Sequence, residues 1–439
     1  MSALRLTVCA AAALTLAACG PNPIDPKRQI GPNPYLPDIH QYLLPPMKVA
    51  KIVGWGQAKP NVAPGLQINA LASGLKNPRS IYVLPNGDIL VAEADGPAAP
   101  INRPKEFVMG WIEKKAHSST KAGNRILLFR DANHDGVPEF QTVFIDHLKS
   151  PFGMALVGND LYVADTDAVL RFPYQTGQTQ ITSPGVKLTD LPGGPIDHHW
   201  TKSLTASPDG TKLYAGVGSN SNITENGIGA ELDRAAVWEI DRSTGAHRLF
   251  ATGLRNPNGL QFEPQTHALW VVVNERDELG PDLVPDYLTS VRDGAFYGWP
   301  YSYYGQHLDP RVKPQRPDLV AQAIPPDYAL SSHVAPLGLV FYTGSTLPAA
   351  YRGGAFVAEH GSWDRTTPNG YKVVYVPFTG GRPSGMAQDV VTGFLNDNDQ
   401  ARGRPVGLAV DASGALLIAD DVGNTVWRVA GAGAPSAQR

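Results

Sequence analysis

Two groups of residues in this sequence have types and spacings suited to chemistry. The first is acidic. The stretch VVVNERDELGPDLVPDYL carries Glu275, Asp277, Glu278, Asp282 and Asp286 among glycine and prolines. Carboxylate oxygens on a flexible loop suit Ca²⁺, which takes about six to eight oxygen ligands in adaptable geometry. A solvated acidic loop held by Arg276 is the competing reading. A second acidic run, Asp131 to Gly136, matches the opening of an EF-hand loop. Thr142 stands where the bidentate glutamate is required, so a tight turn between strands is the better reading there.

The second group is cationic, amide or imidazole: Lys149, His199, Arg255 with Asn256, His333, and Arg402 with Arg404. These residues are far apart in sequence, yet each occupies the lead-in to one copy of a repeat. The copies begin GLKNPRSIYV at Gly74, HLKSPFGMAL at His147, HWTKSLTASPDG at His199, GLRNPNGLQF at Gly253, HVAPLGLVFY at His333 and GRPVGLAVD at Gly403. Each runs from an apolar strand through a turn, Gly- or Asn-bearing in all but the fourth copy, into a second strand, the signature of a hairpin. Further strands fill the gaps, among them ILLFR, VLRFPY, AVWEI, KVVYVPF and VWRVA. A spacing of roughly 50 to 80 residues is the scale of a four-stranded blade with its loops.

Six copies predict an all-β fold, a six-bladed β-propeller with four-stranded blades. Strands near Val426 and Leu66 are expected to share the blade that closes the ring. In such a ring the lead-ins face one mouth of the central channel, so the polar lead-ins converge. Several guanidinium groups at one mouth favour an anionic ligand; taken singly, each would read as a hydrogen-bonded cap on a blade edge.

Composition sets the frame. The 439 residues include 45 glycines and 39 prolines, which fits a turn-rich chain. A net charge of -3 gives no electrostatic case for nucleic acid. No Gly-rich fingerprint follows a strand and opens a helix, which argues against NAD. The N-terminus reads as a targeting segment: Arg5, an apolar run from Leu6, then Leu16-Ala17-Ala18-Cys19. Residues 1–18 are expected to be a lipoprotein signal peptide, with Cys19 the lipidated anchor in a bacterial periplasm. Residues 19–60, rich in proline, read as a stiff tether, and 61–439 as the propeller. Stretches 95–123, with Lys105, Lys114, Lys115 and Lys121, and 280–332 read as long insertions flanking the mouth, as a lid, an acceptor dock or plain loops.

The motifs GLRNPNGLQF, NERDELG, YGWPYSYYGQH, HVAPLGLVFYTG, AFVAEHGSWDR and RGRPVGLAVD together resemble the sorbosone dehydrogenase group, within the soluble PQQ-dependent glucose and aldose sugar dehydrogenases. The resemblance spans about Gly74 to Val429. It implies pyrroloquinoline quinone (PQQ) over the channel mouth, with Ca²⁺ beside it. It implies that His199 is the general base for hydride transfer from a sugar, with Asp197 orienting the imidazole. Arg255 would lie near the quinone carbonyl, and Asn256, Arg402, Arg404 and Lys149 would contact the cofactor. Asp277, Glu278 and Glu275 would serve the metal, and His333 and Trp363 the sugar. A periplasmic cytochrome or quinone would accept the electrons. Two alternatives are a Ca²⁺-dependent lactone hydrolase and a non-catalytic sugar-binding propeller.

Overall fold

The computed structural model describes residues 24–42, 47–97, 121–133 and 135–434. Cys19 with the signal segment, and Lys105, Lys114 and Lys115 of the first insertion, lie outside the described residues. Six antiparallel four-stranded sheets follow one another along the chain. Blade one runs from Pro78–Val83 to Phe140–Ile145, and blade two from Gly153–Val157 to Val186–Asp190. Blade three spans Leu204–Ala206 to His247–Thr252. Blade four spans Asn256–Phe262 to Tyr328–Ser332, and blade five Pro336–Phe341 to Gln388–Thr392. Blade six takes three strands from Pro405–Val410 to Thr425–Gly431 and its outermost from Leu66–Ser73, with Ile68 opposite Val429. The ring is therefore a six-bladed propeller closed by a strand from the other end of the chain, as the repeat predicts.

The second strand of each blade is buried on both faces. Leu90 and Val91, Tyr162 and Val163, and Val271 to Val273 are all 0 % exposed. Apolar and β-branched runs of this kind suit strands sandwiched between neighbouring sheets. The innermost strands meet edge to edge through a recurring glycine. A Cβ on Gly153 would lie 2.4 Å from the Leu204 nitrogen, and one on Gly259 2.7 Å from the Leu339 nitrogen. On Gly338 it would lie 2.1 Å from the Val406 carbonyl oxygen, and on Gly407 2.7 Å from that of Arg79. Each contact joins one blade to the next around the channel. Phe152, Leu337 and Val406 pack together there, and the channel lined by the inner strands holds about 280 Å³.

The Pro-rich segment is not a free tether over its described part. Ile30–Gly31 adds a fifth strand to blade four, and Asn61–Val62 a fifth strand to blade five. Gln29 is 0 % exposed and donates to the Asp282 carbonyl at 2.5 Å. Trp55 sits edge-on to Phe394 and Trp427 and donates to Asp420 at 2.6 Å. Proline blocks regular structure within the segment but leaves its amides and apolar side chains to dock on the blades.

Gly338→Ala should destabilise the ring, because the methyl group meets backbone of the next blade rather than a movable side chain. Overpacking of this kind costs about 1–3 kcal/mol. An unchanged denaturation midpoint would contradict the edge-to-edge account.

Candidate active site

His199 stands on the turn leading into blade three, and its position depends on backbone around it. Lys202, 0 % exposed, donates to the carbonyl of Trp200 at 3.0 Å and lies 3.1 Å from Asp197. Burial lowers the Lys202 pKa to about 8 despite the Asp197 charge. Gly218 leaves space for the imidazole: a Cβ there would lie 2.4 Å from that of His199 and 2.6 Å from Asn256 Oδ1.

Hydrogen bonding fixes the imidazole's tautomer. His199 Nδ1 lies 2.9 Å from both the carbonyl and the hydroxyl oxygen of Ser219. The hydroxyl donates to the Ser221 carbonyl at 2.6 Å, so both Ser219 oxygens act as acceptors toward the ring. Nδ1 therefore carries the proton, and Nε2 keeps its lone pair. Burial, then the charges of Arg255 and His198, hold the His199 pKa well below its ordinary value. Adjacent His198 is exposed. Asp197 does not orient the imidazole; it accepts from Thr166, Lys202 and Arg234 instead, and Ser219 takes the orienting role.

Arg255, 3 % exposed, opens blade four. It donates to the Glu275 carbonyl at 2.6 Å, to Asn222 Oδ1 at 2.9 Å and to Asp277 Oδ2 at 3.0 Å. Next to it, Asn256 Oδ1 is buried without a partner. Asp277 continues the chain of contacts to His333, whose Nδ1 lies 3.4 Å from Asp277 Oδ1. His333 Nε2 lies 3.2 Å from the Gly280 carbonyl. Both ring nitrogens thus face acceptors. Burial opposes protonation of His333, but Asp277 and Asp364 outweigh it and raise the pKa to about 9. Burial pushes Asp277 upward, yet Arg255 and His333 hold it below the usual carboxylate range.

The acidic loop divides differently from the sequence expectation. Ligand atoms of Asp277, His333 and Asp364 lie within 4.8 Å of one another. Glu275 is excluded: its carboxylate turns away to Arg276 Nε at 2.9 Å, both groups buried. Glu278 enters through its backbone, whose N–H donates to Asp364 Oδ2 at 2.9 Å. Asp364, on the loop after the second strand of blade five, was not singled out from sequence. Nor was Arg311, which donates to the Asp277 carbonyl at 2.9 Å and is held by Asp309. The 280–332 stretch therefore holds two strands of blade four and a loop that buttresses the mouth from outside.

A second buried cluster lies where blades five, six and one meet. Arg79 and His360 both pair with Asp421 Oδ2, His360 at 2.9 Å. Arg404 donates to the carbonyls of His360 at 3.0 Å and Gly361 at 2.7 Å. Burial and the Arg404 charge bring the His360 pKa down to about 3. The Arg79 guanidinium lies 5.4 Å from the Trp200 ring centroid, next to His199 in sequence, and its Nε is buried and unpartnered. Arg79 carried no repeat-level polar signal because Phe152, Leu337 and Val406 occupy the matching place in three other copies. Arg402 is half-buried.

Two predicted contacts are displaced. Lys149 is exposed and paired with Asp167 at 2.8 Å, because its lead-in turns the side chain to solvent. His333 is committed to Asp277 and Gly280 rather than open to a sugar. Trp363 is half-buried beneath the N-terminal segment, its carbonyl accepting from the Lys48 amide at 3.0 Å.

The mouth of the propeller thus sets a neutral imidazole beside buried guanidinium groups and paired carboxylates. Residues 155–362 match the Glucose / Sorbosone dehydrogenase family, and 313–432 match the TrAA12-like family. The holo PQQ domain of a pyranose dehydrogenase from Coprinopsis cinerea superposes with a TM-score of 0.67 at 21 % identity, covering 85 % of this chain and 97 % of that one. A calcium structure of a Trichoderma reesei Carbohydrate-Active Enzymes Family AA12 protein gives 0.68 at 20 %, covering 88 % and 99 %. An uncharacterized protein of Borreliella burgdorferi is 27 % identical over 294 residues, 64 % of this chain and 76 % of the relative. The resemblance carried by the motifs is thus met in both the family match and the fold.

His199 should remain neutral below the ordinary imidazole range. The unfolded chain then binds the extra proton first, so this residue costs stability only as pH falls below about 6.5. Ring ¹⁵N shifts should show an Nδ1–H tautomer through pH 6; protonation at 6.5 or above would refute the assignment.

Proposed function

We propose that this chain is a PQQ-dependent dehydrogenase that oxidises an aldose or a sorbosone-like sugar aldehyde. The observation that carries the reading is the fixed tautomer of His199, which leaves the Nε2 lone pair free to accept a proton at the channel mouth. The surroundings fit a planar polyanionic quinone. Arg79 Nε is a buried donor without a partner, and Asn256 Oδ1 is a buried acceptor without one. When bound, the quinone supplies the hydride acceptor.

The chain's own residues do the rest. His199 Nε2 takes the proton of the hydroxyl at the carbon being oxidised, and burial keeps the imidazole in the form that can do so. Arg255 supplies fixed positive charge, held in place by Asp277, Asn222 and the Glu275 carbonyl. Arg404 orders the loop carrying His360 and Gly361. Asp364 offers hard carboxylate oxygens for Ca²⁺ beside Asp277, whose two oxygens already face Arg255 and His333. The family match over residues 155–362 supports this reading over the lactone hydrolase. The lipobox at Cys19 supports a periplasmic, lipid-anchored enzyme passing electrons to a periplasmic cytochrome or quinone.

Purified protein supplied with PQQ and Ca²⁺ should reduce a redox dye with one or more sugars. His199→Gln should keep PQQ affinity and lose roughly 10²- to 10⁴-fold in kcat, the usual worth of a general base. Lactone hydrolysis without dye reduction, or unchanged turnover in the variant, would sink the reading.

A further inference from the structure

The described N-terminal residues are tied, in order, to the three loops that carry the candidate site. The Ile24 amide donates to Asp282 at 3.3 Å, and Gln29 to the Asp282 carbonyl. Asp282 lies in the same loop as Asp277 and is fixed by Arg365, beside Asp364, at 2.8 Å. The His40 amide then donates to the Leu279 carbonyl at 2.9 Å, and the Lys48 amide to that of Trp363 at 3.0 Å. The Val53 amide donates to Ala401 at 2.9 Å, next to Arg402, and Trp55 reaches Asp420. The described parts of the segment, 24–42 and from 47 on, form a strap along the mouth over blades four, five and six.

The strap begins close to Cys19. Four residues separate Cys19 from Ile24, and those five steps reach at most about 18 Å when fully extended. An anchor at Cys19 would therefore hold the mouth, rather than the opposite face, near the bilayer. The charge of the strap agrees. Over 24–60 it carries Lys27, Arg28, Lys48, Lys51 and Lys59 against Asp25 and Asp38, in a chain of net charge -3. Lys27 and Arg28 are exposed, and Arg28 lies 4.3 Å from the ring centroid of Tyr35, which is 45 % exposed. Exposed cations with an aromatic ring suit the headgroup layer of an anionic membrane.

We infer that the strap face docks on an anionic lipid surface, so that the propeller sits with its channel mouth toward the membrane. This rests on the lipid anchor of the proposed function and not on the redox chemistry. It also accounts for a tether that is spent on the mouth loops instead of on distance from the bilayer.

Neither cysteine lies beyond residue 19, so single-cysteine labels report cleanly. The test uses the lipidated protein on vesicles of phosphatidylcholine and phosphatidylglycerol that carry a headgroup-level quencher. A fluorophore at Asp38→Cys, on the strap, is compared with one at Asn159→Cys, in the exposed hairpin turn of blade two. Quenching should be several-fold stronger at position 38. An insertion of about twenty Gly/Ser residues between Asn22 and Pro23 should erase the contrast, since a linker of that kind is a flexible coil. Equal quenching, stronger quenching at 159, or a contrast that survives the insertion overturns the orientation. Failure to float with the vesicles overturns the anchor. Dye reduction measured on the same preparation reports the dehydrogenase reading separately.

Discussion

The molecule depends on how closely the innermost strands approach each other. Where Gly153, Gly259, Gly338 and Gly407 face the backbone of the next blade, no side chain fits. That approach sets the channel width and brings six lead-ins to one mouth. Apolar packing between blades supplies most of the favourable energy through strands that expose almost nothing. The glycine contacts decide where that energy is realised, because a sheet displaced outward would lose dense packing along its whole length.

Buried carboxylates then hold the lead-ins in place. Glu93 accepts from the Lys76 amide at 2.6 Å, Asp165 from that of Lys149 at 2.9 Å and Asp420 from that of Arg404 at 2.8 Å. Each acid sits at or just past the end of a second strand and fixes the backbone leading into its own blade. Burial raises Asp165 and Asp420 to about 7. At the mouth the same economy of buried charge recurs, with Asp277 shared between Arg255 and His333, and Asp421 between Arg79 and His360. These two carboxylates are each matched by buried cations, as low-dielectric surroundings favour.

The fold was legible from residue order because a propeller repeats itself. A strand, turn and strand recurring six times, with a spare strand near Leu66, leaves few other closures. His199, Arg255, Asn256 and His333 were legible as mouth groups for the same reason, since a repeated lead-in must face the channel, although His333 turns to Asp277 rather than to a sugar; Asp277 was legible only as one of an acidic run. Glu275 was not, because the acidic run gives no hint of which carboxylate turns to Arg276. Lys149 was misread because a lead-in position fixes the backbone and not the side chain, which reaches Asp167 instead.

Sequence by itself determined the number of blades, the strand that closes them and the types of group brought to the mouth, because these follow from periodicity and from the pairing needs of strands. Only the tertiary structure decided the chemical state of those groups. The proton on His199 Nδ1 is set by a serine 20 residues away, and Asp277 meets Asp364 from another blade. The course of the proline-rich segment was also settled there, since several of its partners, the carbonyls of Asp282, Leu279, Trp363 and Ala401, are backbone groups that any sequence could offer. Such contacts depend on distance and direction between parts of the chain that no local pattern encodes.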